Sequence, residues 1–278
     1  MCSSSKWKSR PPIVRWFLPG LIALLIVWIY IGFALNPEGL GRLPVVYWLY
    51  YNVVITVMVV CLARCMLAKV IVDRTSPHMR GDASIELKYN GNKRFCRKCN
   101  VPKPDRTHHC RSCGSCIAKM DHHCVFLNKC IGLENYKFFI LFLGWSALAC
   151  LSTAYLIWEY LFSTSFRQLG IELISTGWSF TSYHLQIVAV FFASLCVGLA
   201  LTVFFLMHVY LTLFNMTTLE YFEKHGTISF INYYNVGVVS NLHQVVGDWS
   251  IALLPIYPKH MTTLRRDGFP INHTIKLD

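Results

Sequence analysis

Between Cys96 and Cys130 the chain reads CRKC, NVPKPDRTHHC, RSCGSCIAKM and DHHCVFLNKC, seven cysteines interleaved with histidine pairs. Two cysteines separated by two residues can reach one tetrahedral ion from a tight turn, so this spacing is a zinc-ligation pattern. The other use of so many cysteines, as small buried hydrophobes, does not suit a segment this polar and basic. The candidate ligands are Cys96, Cys99, Cys110, Cys113, Cys116, Cys124, Cys130, His108, His109, His122 and His123. Two closed four-coordinate sites would use eight of these eleven. If each took three cysteines and one histidine, one cysteine and two histidines would remain. Spacing alone leaves open which.

The elements that position this cluster are set by hydrophobicity. Of 278 residues, 54% are hydrophobic and 14% charged, against roughly 25% charged in a soluble domain, which excludes an ordinary soluble protein. Four stretches lack Lys, Arg, Asp and Glu and are long enough to cross a bilayer: Trp16 to Leu35, Val45 to Ala63, Phe138 to Trp158 and Ile187 to Met207. Trp16, Tyr47, Trp48, Tyr155 and Trp158 mark their ends, where amphipathic rings sit at headgroups. The first run has no small-residue cleavage site after it and reads as an uncleaved span. Lys and Arg number 4 before the first span, 1 in the first loop, 15 from Arg64 to Lys137, 1 in the third loop and 5 after the fourth span. Such asymmetry predicts that both termini and the cluster face the cytosol. The expected fold is therefore an all-α polytopic membrane protein with four transmembrane helices. A cytosolic two-zinc, cysteine-rich domain lies between the second and third.

This layout divides the chain into a cytosolic N-terminus (1–15), two spans with a short lumenal loop (16–63) and the zinc segment (64–137). Two further spans with a lumenal loop (138–214) and a cytosolic C-terminal segment (215–278) complete it. No repeat of fixed period stands out. Sequons at Asn215 and Asn272 would be cytosolic and silent.

Asp121-His122-His123-Cys124, placed in a Cys-rich segment between the second and third spans, resembles the DHHC family of protein S-acyltransferases, or palmitoyltransferases. Lys103-Pro104, Arg106, His108-His109-Cys110, Asn128, Cys130, Gly132, Asn135 and Phe138 stand at the family's spacings. Thr217-Thr218-Leu219-Glu220 is similar to its TTxE box, and Tyr234, Asn241, Gln244 and Gly247 to its C-terminal motif. The resemblance implies one structural Zn²⁺ on Cys96, Cys99, His109 and Cys116, and another on Cys110, Cys113, His123 and Cys130. Cys124 is then the spare thiol. Thr217, Thr218, Glu220 and Asn241 become supporting residues, on the resemblance only. Three features depart from the family pattern. Val125-Phe126 replaces Pro-Trp, Asp73-Arg74-Thr75-Ser76-Pro77 stands where an Asp-Pro-Gly box is usual, and Val246 replaces an aromatic.

A free thiol titrates near 8.5, so a nucleophilic cysteine at neutral pH needs help, and a histidine two residues upstream can supply it. In an extended segment side chains alternate, placing His122 and Cys124 on one face and His123 on the other. Asp121 would orient the His122 imidazole, which requires a turn at Asp121. The reaction that the resemblance implies is ping-pong. Cys124 takes a long-chain acyl group from palmitoyl-CoA and passes it to a cysteine of a substrate protein. Phe126 is a candidate contact for the acyl chain, which must be kept in a cavity between the spans because each CH₂ drawn into water costs about 0.8 kcal/mol. The expected partners are the bilayer and membrane or membrane-associated proteins presenting cysteine at the cytosolic face, with no nucleic acid. The expected location is the Golgi, the endoplasmic reticulum or the plasma membrane, short spans favouring the first two. Juxtamembrane Cys61 and Cys65 and the N-terminal Cys2 read as packing rather than acyl-acceptor thiols, and His208 as an interfacial or core histidine. A non-catalytic zinc scaffold is the competing reading, but it has no need of the ninth group, Cys124, beside eight ligands.

Overall fold

The computed structural model describes residues 12–34, 45–71, 85–86, 91–163, 178–224 and 232–259. Four long helices carry the apolar runs: α1 (Pro12–Ala34), α2 (Val45–Leu67), α3 (Tyr136–Ser163) and α4 (Trp178–Leu213). Two short helices, α5 (Thr218–Lys224) and α6 (Val238–Val246), and a 3₁₀ turn (Trp249–Ile251) follow. Among the described residues three stretches, Val45–Leu67, Tyr136–Tyr160 and Leu185–Leu213, are long and apolar enough to cross a membrane. Helix α1 is 23 residues long, its described side chains, Phe17–Ile31, are apolar, and Pro19 lies inside it. Large apolar side chains such as Leu24, Val46 and Val203 point outward at about 70% exposure, which is economical only where lipid is the solvent. Asp73 to Pro77, Asn272 and Cys2 lie outside the described residues.

The chain divides into two compact units. One contains residues 20–60 and 142–206, essentially the membrane helices. Within it, Tyr51 Oη and Thr153 Oγ1 are 2.9 Å apart and buried, Tyr30 Oη donates to Asn52 Oδ1 at 3.1 Å, and Tyr50 Oη lies 3.2 Å from Ser152 Oγ. These bonds satisfy hydroxyl groups that lipid cannot. Gly198 sits where an added Cβ would come within 2.9 Å of the Leu151 side chain and 3.1 Å of Cys150 Cβ, so a larger residue there would force α3 side chains to shift.

The other unit contains residues 1–19, 61–141 and those after 206. Its central segment departs from the all-helical expectation. It folds as three two-stranded antiparallel hairpins: β1 (Phe95–Cys96) with β2 (Val101–Pro102), β3 (His108–Cys110) with β4 (Ser115–Ile117), and β5 (His122–Cys124) with β6 (Lys129–Ile131). Each hairpin has a four-residue turn whose last residue, Asn100, Gly114 or Asn128, has positive φ. Glycine and asparagine tolerate that region. The first strands end at Cys96, Cys110 and Cys124, each fourteen residues after the last. A fixed-period repeat is therefore present, contrary to the sequence reading. It is too short to stand out by hydrophobicity, because strands of two or three residues carry no periodic apolar pattern.

The third hairpin is tied to its surroundings by Asn135, which accepts from the Gly132 amide at 2.9 Å and donates to the carbonyls of Cys130 and Cys65. Lys129 donates to the Met66 carbonyl at the end of α2. Gly132 is required by space: an added Cβ would meet the Ala118 carbonyl oxygen at 2.8 Å.

Candidate functional site

The repeat explains the ligand sets. In each of the first two hairpins the turn presents a Cys-x-x-Cys pair, and the next hairpin supplies a histidine and a cysteine. Cys96 and Cys99 meet His109 and Cys116; Cys110 and Cys113 meet His123 and Cys130. The offsets, 3, 13 and 20 residues from the first cysteine, are the same in both sets. His109 Nδ1 lies 3.5 and 3.3 Å from the sulfurs of Cys96 and Cys99. His123 Nδ1 lies 3.6, 3.5 and 3.5 Å from those of Cys110, Cys113 and Cys130. Ligands on a tetrahedral zinc with bonds of about 2.3 Å to sulfur and about 2.0 Å to nitrogen are about 3.5 Å apart. Both sets therefore fit zinc, and all seven thiols of the segment are reduced.

Continuing the same offsets from Cys124 leads to Leu127, Lys137 and Gly144. None of these is a zinc ligand. Leu127 is buried where Cys99 and Cys113 stand in the first two turns, so Cys124 holds the position of Cys96 and Cys110 without the partners that complete their sets. It is the one cysteine of the three hairpins that belongs to neither set.

What surrounds Cys124 instead is a hydrogen-bonded chain. His122 Nδ1 lies 2.6 Å from Asp121 Oδ2, and the same imidazole is hydrogen-bonded to the Cys124 thiol. Asp121 stands just before β5, its amide donating across the hairpin to the Ile131 carbonyl at 2.9 Å, after a turn at residues 118–119. Burial would lower the His122 pKa, but its bonds to Asp121 and Cys124 outweigh burial and hold it up to about 9. Burial pulls Asp121 upward, yet the bond from His122 leaves it below the usual carboxylate range. At neutral pH the group thus favours an imidazolium between a carboxylate and a sulfur.

A family model described as DHHC palmitoyltransferase matches residues 89–225. These residues form a DHHC domain. Human palmitoyltransferase ZDHHC2 is 32% identical over 176 residues, covering 60% of this chain and 44% of that protein. Rat palmitoyltransferase ZDHHC15 is 40% identical over 169 residues, covering 57% and 45%. An Arabidopsis thaliana protein named probable protein S-acyltransferase 13 is 39% identical over 182 residues, covering 64% and 56%. The chain thus spans about half the length of the curated relatives it matches.

The TTxE residues hold the DHHC domain through a capping box. Thr217 Oγ1 accepts the Glu220 amide at 3.2 Å, and Glu220 Oε2 accepts the Thr217 amide at 2.9 Å. That fixes the start of α5, from which Thr218 reaches Asp121: its amide donates to Oδ1 and its hydroxyl to Oδ2, both at 2.8 Å. The carboxylate is thereby aimed at His122. Asn241 donates to the last-turn carbonyl of α4, Leu213, at 2.7 Å. Phe126 is exposed in the turn of the third hairpin, beside exposed Val125.

Arg106, which carried no role in the sequence reading, is wholly buried and binds both Glu220 oxygens, at 2.8 and 2.7 Å. It also donates to the side chain and carbonyl of Asn215, each at 2.9 Å, and lies over the Tyr234 ring. The spacing between Pro104 and His108 signalled Arg106, but only tertiary contact reveals its partner 114 residues away. Removing one member of a buried ion pair strands the other, so Arg106→Ala should cost about 3–5 kcal/mol. Arg106→Met combined with Glu220→Leu should cost less. Thermal unfolding monitored through zinc release distinguishes the two; equal losses would refute an ionic origin.

Lys119 is buried beside this pair and donates to Asn215 Oδ1 at 3.1 Å. Burial and then the Arg106 charge push it down to about 7, with Glu220 and Asp121 only partly offsetting them. Between that value and the ordinary pKa of about 10.4 the unfolded chain binds more protons than the folded one. Stability should therefore rise with pH from 7 to 9, at up to about 1.4 kcal/mol per unit. In Lys119→Met this contribution should vanish, so the variant's stability advantage over the wild type shrinks as pH rises. A difference in unfolding midpoint that stays constant from pH 7 to 9 would contradict the assignment.

Proposed function

We propose that this protein is a protein S-acyltransferase that works through an acyl-enzyme on Cys124. The sulfur attacks the thioester carbonyl of a long-chain acyl-CoA, and the tetrahedral intermediate expels the CoA thiolate, which takes a proton from the His122 imidazolium. A substrate cysteine then gives its proton to His122 and attacks the acyl-enzyme, returning Cys124 as thiolate. Asp121 keeps the imidazole oriented and stabilises its charged form throughout. Bound zinc, on Cys96, Cys99, His109 and Cys116 and on Cys110, Cys113, His123 and Cys130, supplies structural cross-links between hairpins, since each donor set is already four. The observation that carries this reading is that Cys124 stands outside both ligand sets and on the Asp121–His122 pair.

In the same reading Phe126 contacts the acyl chain near the thioester, and the substrate is palmitoyl-CoA. Helices α1 to α4 are the four spans, so that 1–15, 64–137 and 215–278 are cytosolic, while 16–63 and 138–214 are the two membrane pairs with their lumenal loops. The Lys and Arg asymmetry supports this orientation. Protein substrates present cysteine at the cytosolic face of Golgi or endoplasmic reticulum membranes. Incubating the detergent-purified full chain with radiolabelled palmitoyl-CoA should give protein-bound label that neutral hydroxylamine removes. A chain that holds two zinc ions and takes up no label would end the transferase reading.

A further inference from the structure

His208, near the end of the apolar stretch of α4, is fully buried. It reads from sequence as an interfacial or core histidine. The structure instead packs it against the imidazole that serves Cys124: the His122 and His208 ring centroids are 6.0 Å apart, tilted by 37°. Phe139 on α3 packs edge-to-face against both, at 5.3 Å from His122 and 5.2 Å from His208. Tyr136, one turn earlier on α3, brings its hydroxyl to 3.2 Å from His208 Nδ1 and its ring to 5.8 Å in a T-shaped contact. Asp121, His122 and His208 thus have polar atoms all within 4.8 Å of one another. The group is not a third zinc site, because 2.6 Å between Asp121 Oδ2 and His122 Nδ1 is a hydrogen-bond spacing. Two ligands of one tetrahedral zinc stand about 3.3 Å apart.

The geometry points to His208 as a positioning residue for Cys124 chemistry, one that with Phe139 packs against the His122 ring while Asp121 bonds its Nδ1. This inference rests on the transferase reading above. A carboxylate bonded to one nitrogen leaves an imidazole able to swing about that bond, and a base must be held to within about 10–20° to work. Phe139 and His208 remove that freedom. Phenylalanine alone offers a fixed surface, whereas His208 is itself locked by the Tyr136 hydroxyl. The chain of restraint therefore runs from Tyr136 to His208 to His122, and it couples α3 and α4, where they leave the bilayer, to the third hairpin.

The experiment compares the zinc-loaded full chain with His208→Phe, His208→Asn and Tyr136→Phe, each also in a His122→Ala background. Two rates are read: single-turnover acylation by palmitoyl-CoA, and alkylation of Cys124 by iodoacetamide, followed by intact mass. His208→Phe keeps an aromatic ring but loses the group that meets Tyr136, and should slow both rates by about tenfold while the palmitoyl-CoA concentration dependence shifts by less than about twofold. His208→Asn, whose amide oxygen falls near the place of Nδ1, should recover to within about threefold of the wild type. With His122 absent, the same His208 change should alter alkylation by less than about twofold, because a positioning residue acts only through the residue it positions. Equal losses in the two backgrounds, or a His208→Phe rate within about twofold of the wild type, would overturn the inference. Should His208→Phe fail to retain two zinc ions, Tyr136→Phe supplies the same test with a smaller change. A wild-type chain that never acylates would defeat the transferase reading, and the alkylation arm would still judge His208.

Discussion

Cys124→Ser should retain two zinc ions per chain and lose acyl-enzyme formation by at least about a thousandfold. The two halves of this expectation have separate causes. Metal content is unchanged because the sulfur belongs to neither four-residue set, and the hairpin it ends is held by His123 and Cys130 on one side and by the Lys129 and Asn135 bonds on the other. Activity is lost because a serine hydroxyl is a far weaker nucleophile than a cysteine sulfur at the same place beside the Asp121–His122 pair. Any slow label on the serine would be an oxygen ester and would resist neutral hydroxylamine, so the label and its chemistry are read in one assay. Loss of one zinc from this variant would show that Cys124 is a ligand after all and that the ligand sets are misassigned.

Cys113→Ser, a substitution of the same size eleven residues earlier, should do the opposite. It removes one of four donors from the set that joins the second hairpin to the third. A structural zinc in a small module contributes on the order of 10 kcal/mol to folding, and the small apolar cluster of Val70, Ile117 and Met120 beside these cysteines is too small to replace it. Zinc should fall to one or none per chain, and proteolysis should reach the segment between α2 and α3. Activity should disappear along with the fold, since β5 carries both His122 and Cys124. The pair of variants separates structural from chemical cysteine: one loses metal and activity, the other activity alone. A Cys113→Ser protein with two zinc ions and wild-type acylation would refute the structural role.

Much of this was readable from residue types alone because the governing constraints are local. Zinc demands thiols and imidazoles at turn spacing, and lipid demands unbroken apolar runs, so the cluster and the helices α2, α3 and α4 follow from the chain. The alternation that puts His122 beside Cys124 and His123 on the metal side needs only three extended residues, and β5 is three residues long. The first apolar run likewise folds as one helix, α1, of 23 residues.

The fourteen-residue repeat escaped notice because its signature is a register of ligands rather than a pattern of hydrophobicity. Only folding makes one hairpin complete the metal site of the hairpin before it. That same register leaves Cys124 outside both candidate ligand sets: Leu127, Lys137 and Gly144 stand where its partners would be. Arg106, Lys119 and His208 were opaque for a different reason. Each is a polar side chain whose meaning lies in a partner far away in sequence, Glu220 for Arg106, Asn215 for Lys119 and Tyr136 for His208. Composition and spacing name the groups able to do chemistry at short range. Which buried charge faces which, and which ring holds another in place, depends on how distant segments pack, because desolvated polar groups must find partners wherever the chain brings them.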